Sequence, residues 1–364
     1  MLASFTPTPL YPDYQELFDI GSGGVSLIFA GYPAGVVFCL TLLGGLSDVI
    51  GRRRTILFGG TVLITGLMLL SVAPSLGVMV VGRFIQGLGV ALVSTAAASA
   101  LMELHPKGVE AGSQFNTASV SLGVAFGPLV AGLVADQMPN PLRSPYWVVA
   151  LMVLVPMVLA AFSPRTPRTP GAPLVRRVRV PRELARPFVA SAAAVAITNL
   201  CTGLMGAFSP EVARSVGWQG STLNGVFVSV LLFSIAVAQM AGGSWPPRRA
   251  MVGGGMVAVT GWALLAVGSF VGSPVLALVA VVVLGAGTGA TLLGSAAAMS
   301  SWAPPERRAE LYAAWLLVPF TTLGLSAFLA APLVASTSVA FALLGAGALT
   351  VGLTALVRHT AVRT

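Results

Sequence analysis

The feature that constrains this chain most is a succession of apolar runs, each long enough to cross a lipid bilayer. A helix needs roughly 20 apolar residues to span the hydrocarbon core. Read with a window of about 19 residues, such runs fall at 23–46, 56–74, 77–104, 112–135 and 146–162. A second set falls at 188–208, 222–243, 250–271, 274–301, 311–334 and 338–357. Membrane β-barrels show alternating segments of about 10 residues instead, so the runs predict helices. Composition points the same way: 56% of residues are hydrophobic and 9% charged, against roughly 25% charged in a soluble domain. The expected fold is an all-α polytopic membrane protein with eleven spans.

Between the two sets lies SPRTPRTPGAPLVRRVRVPRELARP, residues 163–187. Its Pro and Arg content reads as a polar linker. The chain therefore divides into an N-terminal membrane half (1–162), a linker (163–187) and a C-terminal membrane half (188–364). Basic residues set the orientation. Arg52, Arg53, Arg54, Lys107, Arg165, Arg168, Arg176, Arg177, Arg179, Arg182, Arg186, Arg248, Arg249, Arg307, Arg308, Arg358 and Arg363 fall in alternate connections or the C-terminal tail. The opposite connections hold only Arg143 and Arg214, together with the acids Asp13, Glu16, Asp19, Asp136 and Glu211. Cytoplasmic loops carry the excess of Lys and Arg, which places the linker and the C-terminus inside. The same placement accounts for the net charge of +9 without a nucleic-acid partner, and a lipid bilayer is the expected surrounding.

The chain opens with MLASFTPTPLYPDYQELFDIG. About ten fairly apolar residues precede Tyr11, Pro12 and Asp13, half a span at roughly 1.5 Å per residue. The stretch lacks the basic region and cleavage site of a signal peptide, and reads as the outer end of a first helix of a twelve-span plan. Cys39 and Cys201 fall inside apolar runs and are expected in packing contacts. His105 and His359 have no Cys, His or carboxylate neighbours at metal-ligand spacing, so neither a metal nor another cofactor is expected. An acyltransferase-like membrane enzyme would need a nucleophile and base near the interface, and neither histidine has such partners.

An internal repeat supports two halves. GLGVALVSTAAASA (87–100) reappears as GTGATLLGSAAAMS (287–300), an offset of 200 that would set Val283 opposite Arg83. Parallel repeats of two six-helix halves are a known transporter plan.

Three motifs carry a family resemblance. GGLSDVIGRRR, from Gly44, resembles the signature between the second and third helices of the major facilitator superfamily, Gly-x-Leu-Ala/Ser-Asp-Arg-x-Gly-Arg-Arg/Lys. Gly44, Leu46, Ser47, Asp48, Gly51, Arg52 and Arg53 fill its positions, and Val49 replaces the usual basic residue. The resemblance implies a cytoplasmic gate in which Asp48 meets the segment PPERRAEL (304–311). The second-half copy, GGSWPPRRA, has lost the aspartate. GRFIQGLGVAL (82–92) resembles the fourth-helix motif, with Arg83 at membrane depth. An intramembrane charge is a functional candidate; the bland alternative is snorkelling to the outer surface. SLGVAFGPLVAGL (121–133) resembles the fifth-helix motif Gly-x-x-x-Gly-Pro-x-x-Gly-Gly of proton-driven exporters, through Gly123, Gly127, Pro128 and Gly132, with Ala131 in place of a glycine. Small residues there let helices approach closely.

The resemblance implies a secondary transporter of the plasma membrane, exporting a small drug-like or secondary-metabolite molecule in exchange for protons, as a monomer. Uptake symport on the same fold and a non-transporting remnant or receptor are the alternatives. No Asp or Glu lies deep inside a recognisable run; Glu103 and Asp136 sit at ends. In many relatives the coupling carboxylate is on the first helix. Candidates for the proton or substrate path are Arg83, Gln86, Asn116, Asn199 and Gln239, with Thr202, Thr288 and Trp315 as further polar or aromatic residues at membrane depth.

Overall fold

The computed structural model describes residues 1–163, 173–175, 179–243, 245–304 and 307–361. Arg165, Arg168, Arg176, Arg177 and Arg363 lie outside the described residues. Two 3-10 turns, Leu2–Phe5 and Thr8–Leu10, lead into a short helix α1 (Tyr11–Phe18). There follow α2 (Ser22–Leu42), α3 (Leu46–Ile50), α4 (Arg52–Ser71), α5 (Leu76–Leu104), α6 (Val109–Gln137) and α7 (Ser144–Ala161). The second set comprises α8 (Ala185–Ser215), α9 (Ser221–Ala241), α10 (Pro247–Val271), α11 (Pro274–Trp302), α12 (Arg308–Ser336) and α13 (Val339–Thr360). Among the described residues, eleven helices are long and apolar enough to cross a membrane, the number expected from the sequence. With no water inside a bilayer, each helix satisfies its own backbone groups. α8 runs beyond its apolar stretch to Ser215 with Pro210 inside it, so Glu211 is on a helix and not in a loop.

Small residues set the closest helix contacts. On α2 and α5, Gly35 faces the Phe84 carbonyl and Gly87 faces the Tyr32 carbonyl, positions where a Cβ would collide with backbone. On α10 and α11, a Cβ on Gly254 would stand 2.6 Å from the Gly287 carbonyl oxygen. These contacts correct the register of the internal repeat. Gly87 meets α2 and Gly89 meets Leu63 of α4; their structural equivalents are Gly285, which meets Leu231 and Ser234 of α9, and Gly287, which meets Ala258 of α10. The offset is therefore 198, as it is between the first residues of α5 and α11, Leu76 and Pro274. The helix caps agree: Ser75 accepts from the Val78 N–H and Ser273 from the Leu276 N–H. Arg83 thus stands opposite Val281 rather than Val283.

Helices α2 to α7 pack among themselves, as do α8 to α13, and the main contacts between the two sets are α2 with α12 and α6 with α9. Those contacts are tightest at the end away from the arginine-rich turn. Ser22 Oγ donates to the Ala331 carbonyl at 3.1 Å and Ser26 Oγ to the Ala327 carbonyl at 2.9 Å, joining the start of α2 to the end of α12. Gly132 of α6 lies against the Ser221 carbonyl, and Gly225 of α9 against the Pro128 carbonyl. A Phe126–Phe233 edge contact at 4.9 Å continues the same seam.

Candidate functional site

At the arginine-rich end the two sets of helices part around a cavity of about 500 Å3. This lies within the roughly 300–1,000 Å3 range of pockets that hold drug-sized molecules. Its wall includes Tyr32 and Leu40 of α2, Ser94 and Thr95 of α5, Asn116 of α6, and Tyr312 and Phe320 of α12. Among the described residues no Asp, Glu, Lys or Arg side chain lines it. Ser94, Thr95 and Ser99 donate their hydroxyls to the carbonyls of Val90, Ala91 and Thr95 on their own helix, so their polarity is spent internally. What remains is an apolar chamber with few fixed polar groups.

Met1 lines the chamber, and residues 2–18 run from there toward the opposite end of the bundle. The first of these residues are held by Arg83, which is fully buried and does not snorkel. Its Nη1 donates to the Ser4 carbonyl at 2.9 Å and to Gln86 Oε1 at 2.5 Å, and its Nε to the Ile28 carbonyl at 3.3 Å. The guanidinium also lies 4.9 Å from the centre of the Tyr32 ring, a distance at which the ring face attracts a cation. Gln86 Nε2 donates to the Ala3 carbonyl at 2.7 Å, and Ser4 Oγ is 2.9 Å from Tyr32 Oη. The same segment reaches the other set of helices, where Thr8 Oγ1 donates to the Gly206 carbonyl at 2.9 Å. Residues 2–10 therefore form a hydrogen-bonded ceiling between the two sets.

The arginine-rich turn is built around Gly51, whose φ of 94° suits a residue without a side chain. It lets α3 stop and α4 begin at once, which aims Arg52 back over Asp48. Arg52 pairs with Asp48 and, through Nη2, with Glu103 of α5 at 2.9 Å; its Nη1 also reaches Ser47 Oγ at 3.1 Å. Arg53 Nη1 donates to the Ser163 carbonyl at 3.2 Å. Gly45 donates its N–H to the Leu174 carbonyl at 2.8 Å, which brings the connecting segment onto the turn. Gly44 and Leu46 flank that contact, Gly44 on the chamber wall and Leu46 against the core. Asp48 shares a second, larger cavity of about 1,370 Å3 with Arg307 and Glu310, so it faces these two residues across an open space while it pairs with Arg52.

The opposite end is closed by polar contacts. Asp136 Oδ2 of α6 accepts the Thr222 N–H of α9 at 2.8 Å, placing a carboxylate at the positive end of a helix from the other set. Glu211 pairs with Arg214 at 3.4 Å and its side chain is only 12% exposed. Arg214 also reaches Gln15 of α1 at 3.5 Å. Burial, and then the neighbouring Glu16 and Asp136 carboxylates, hold the Asp13 carboxyl above its ordinary value of 3.8.

Of the path residues expected from sequence, Asn116 lines the chamber. Arg83 and Gln86 sit above it in the ceiling. Asn199 donates to the Val195 carbonyl on its own helix at 3.0 Å, and neither it nor Gln239 is on the chamber wall. Trp315 stacks on Tyr312 and donates to Ser295. The small residues of the 121–133 motif are the flat side of α6: Gly123 and Gly127 admit Leu2, and Gly132 admits Ser221. Sequence reasoning missed Ala3 and Ser4, which act through backbone carbonyls, and the tyrosines Tyr32 and Tyr312, whose residue type in an apolar run carries no distinguishing signal. Among the described residues no group of His, Cys, Asp or Glu is placed to hold a metal ion, and both cysteines are buried and free.

Comparison with known proteins places this geometry. A family profile described as Major Facilitator Superfamily matches residues 1–314. The multidrug resistance protein Stp of Mycobacterium tuberculosis is 33% identical over 128 residues, covering 35% of this chain and 24% of that protein. The drug efflux pump JefA of the same organism is 32% identical over 127 residues, covering 34% and 25%. The lincomycin resistance protein of Streptomyces lincolnensis is 28% identical over 151 residues, covering 41% and 30%. The matched stretches thus span 24% to 30% of the length of these relatives. The inward open conformation of the xylose transporter XylE from E. coli superposes with a TM-score of 0.80 at 14% identity, covering 100% of this chain and 93% of that one; the likeness is one of fold.

Proposed function

The chain belongs to the major facilitator superfamily, and from that premise we propose that it exports a small, apolar or amphipathic drug-like molecule by alternating access. It is a multi-pass membrane transporter by family, not an enzyme. The observation that carries the export reading is the chamber: of drug-ligand size, without a charged side chain among the described residues, open beside the arginine-rich turn and roofed by residues 2–10. The positive-inside bias supports putting the arginine-rich end, the linker and the C-terminus in the cytoplasm of a plasma-membrane protein. A solute then loads from inside. The drug-efflux names of Stp and JefA support the same direction.

In this reading α2–α7 and α8–α13 rock against each other. Opening the outer end requires the Ser22–Ala331, Ser26–Ala327 and Asp136–Thr222 contacts to part. Closing the inner end brings Asp48 toward Arg307 and Glu310 across the large inner cavity. The proposed exchange ion is the proton. Two of the carboxylates at the closed outer end, Asp13 and Glu211, are the groups offered for coupling. The test uses the full chain in proteoliposomes with an imposed pH gradient and a neutral lipophilic dye. Dye movement out of the arginine-rich side that collapses with a protonophore supports the reading; gradient-independent movement overturns the coupling, and net uptake overturns the direction.

A further inference from the structure

Away from the transport path, a third cavity lies where four helices end together on the arginine-rich side. It measures about 150 Å3 and sits between the first turns of α8 and α10 and the last turns of α11 and α13. Ser191, Arg248, Ser301 and Trp302 supply its polar wall, and among the described residues no carboxylate lines it. The space is too small for a drug-sized guest, which needs roughly 300 Å3 or more. It suits a group the size of a phosphate.

The polar groups here offer donors without acceptors. The Nε–H of Arg248 is buried and has no hydrogen-bond acceptor among the described residues, an arrangement rare enough in folded proteins to point to a missing partner. Trp302 Nε1 donates to Ser191 Oγ at 3.3 Å, which leaves the Ser191 O–H as a further donor. Ser301 Oγ is already bonded to the Ala298 carbonyl at 2.8 Å, so it shapes the wall and adds no demand. Among the described residues, several basic side chains stand around the mouth. Arg249 is exposed beside Arg248, Arg186 bonds the His359 carbonyl at 3.0 Å, and Arg358 and His359 stand in the last turn of α13.

Depth identifies what can present such a group. α10 has 25 residues, about 37 Å at 1.5 Å per residue, which exceeds the roughly 30 Å hydrocarbon core. Its first turn, and Arg248 with it, therefore stands at headgroup level whichever way the protein faces. Trp302 at the same level is the amphipathic ring expected there.

We propose that this cavity binds a phosphate group presented by the headgroup of an acidic phospholipid. Arg248 supplies Nε and a terminal nitrogen as a two-pronged donor, and Ser191 supplies the third. The surrounding arginines favour an acidic lipid over a zwitterionic one.

The test is lipid retention by the full chain in mild detergent, read by native mass spectrometry with phosphatidylglycerol or phosphatidylcholine added. Wild type should retain phosphatidylglycerol in preference. Arg248→Gln should weaken retention by about tenfold or more, as loss of a two-pronged charged contact requires. Arg249→Gln removes an equal charge from the exposed side and should change it less than about twofold. Ser301→Phe fills the cavity with the guanidinium intact and should lose the lipid as Arg248→Gln does, which decides the matter if the arginine variant folds poorly. Unchanged retention in Ser301→Phe, or equal losses from Arg248→Gln and Arg249→Gln, would overturn the site in favour of diffuse charge. Inorganic phosphate raising the melting temperature of wild type as much as the lipid does, with no lipid retained, would overturn the headgroup in favour of free phosphate.

Discussion

Arg83 and Gln86, one turn apart on α5, are bonded to each other at 2.5 Å and then divide two consecutive carbonyls between them, Ser4 to the arginine and Ala3 to the glutamine. A buried cation with no carboxylate partner among the described residues is here held by oxygen dipoles and a tyrosine face. The arrangement turns an intramembrane charge into an anchor for residues 2–10, and its removal leaves several buried acceptors without a donor.

Arg83→Ala is therefore expected to cost about 1–3 kcal/mol for each buried acceptor left without its donor, and to abolish transport. Arg83→Lys keeps the charge and loses the fork, so its stability should fall between the two. Thermal unfolding in detergent measures both. Wild-type stability in Arg83→Ala would show that residues 2–10 are held by apolar packing alone.

Asp48→Asn removes the carboxylate from the Arg52 pair while Glu103 still holds Arg52 from the other side. Expression should persist, because a partly exposed ion pair contributes about 1 kcal/mol or less. The access state should shift. Since Cys39 and Cys201 are buried, a Ser94→Cys reporter on the chamber wall is the reactive thiol. Its labelling rate from the arginine-rich side should change severalfold in the Asp48→Asn background. An unchanged rate would leave the turn with an anchoring role only.

Paired substitutions Ser26→Cys and Ala327→Cys place thiols where α2 and α12 already touch, the serine hydroxyl being 2.9 Å from the Ala327 carbonyl. Oxidation should stop transport and reduction restore it, while the Ser94→Cys thiol stays open to label. Full transport by the oxidised protein would mean that this seam does not part in the cycle.

Asp13 gives a pH prediction with a definite sign. Its carboxyl is held above the ordinary 3.8 by burial, Glu16 and Asp136, so folding favours its protonated form. That stabilising contribution is complete below the ordinary carboxylate range and is lost as the pH rises through the raised value. Asp13→Asn should accordingly raise the melting temperature at neutral pH by about one to three degrees, and the gain should vanish near pH 3 to 4. A gain that is constant with pH would assign it to something other than ionisation.

The eleven spans were legible in the sequence because hydropathy over about 20 residues is a direct physical requirement of the bilayer. Finer points were set by contacts that composition does not encode. The repeat at an offset of 200 aligned Ala with Ala, yet Gly89 and Gly287 are the pair that meet equivalent helices. In a helix crowded with Gly, Ala and Ser, a two-residue slip costs little similarity. The charged turn was read from Gly51, Asp48 and Arg52, but its partner Glu103 lies 51 residues away from Arg52. Glu211 reads as part of an outer connection because the apolar run ends at residue 208, whereas α8 continues through Pro210 to Ser215. Ala3 and Ser4 escaped because they serve the site with carbonyl oxygens, which every residue has. Gln86 and Asn199 are equally polar at similar depth; only the fold shows that one braces the ceiling and the other bonds its own helix.

The hydroxyls of Ser94, Thr95 and Ser99 point back to their own backbone, and this governs how such a chamber discriminates. A wall with no charged side chain among the described residues and few outward hydrogen bonds gives its guest no fixed pose. Girth and wettability sort the candidates, and a molecule is free to tumble between turnovers. Enlarging the chamber then takes no new chemistry: trimming one bulky wall residue such as Phe320 admits broader shapes.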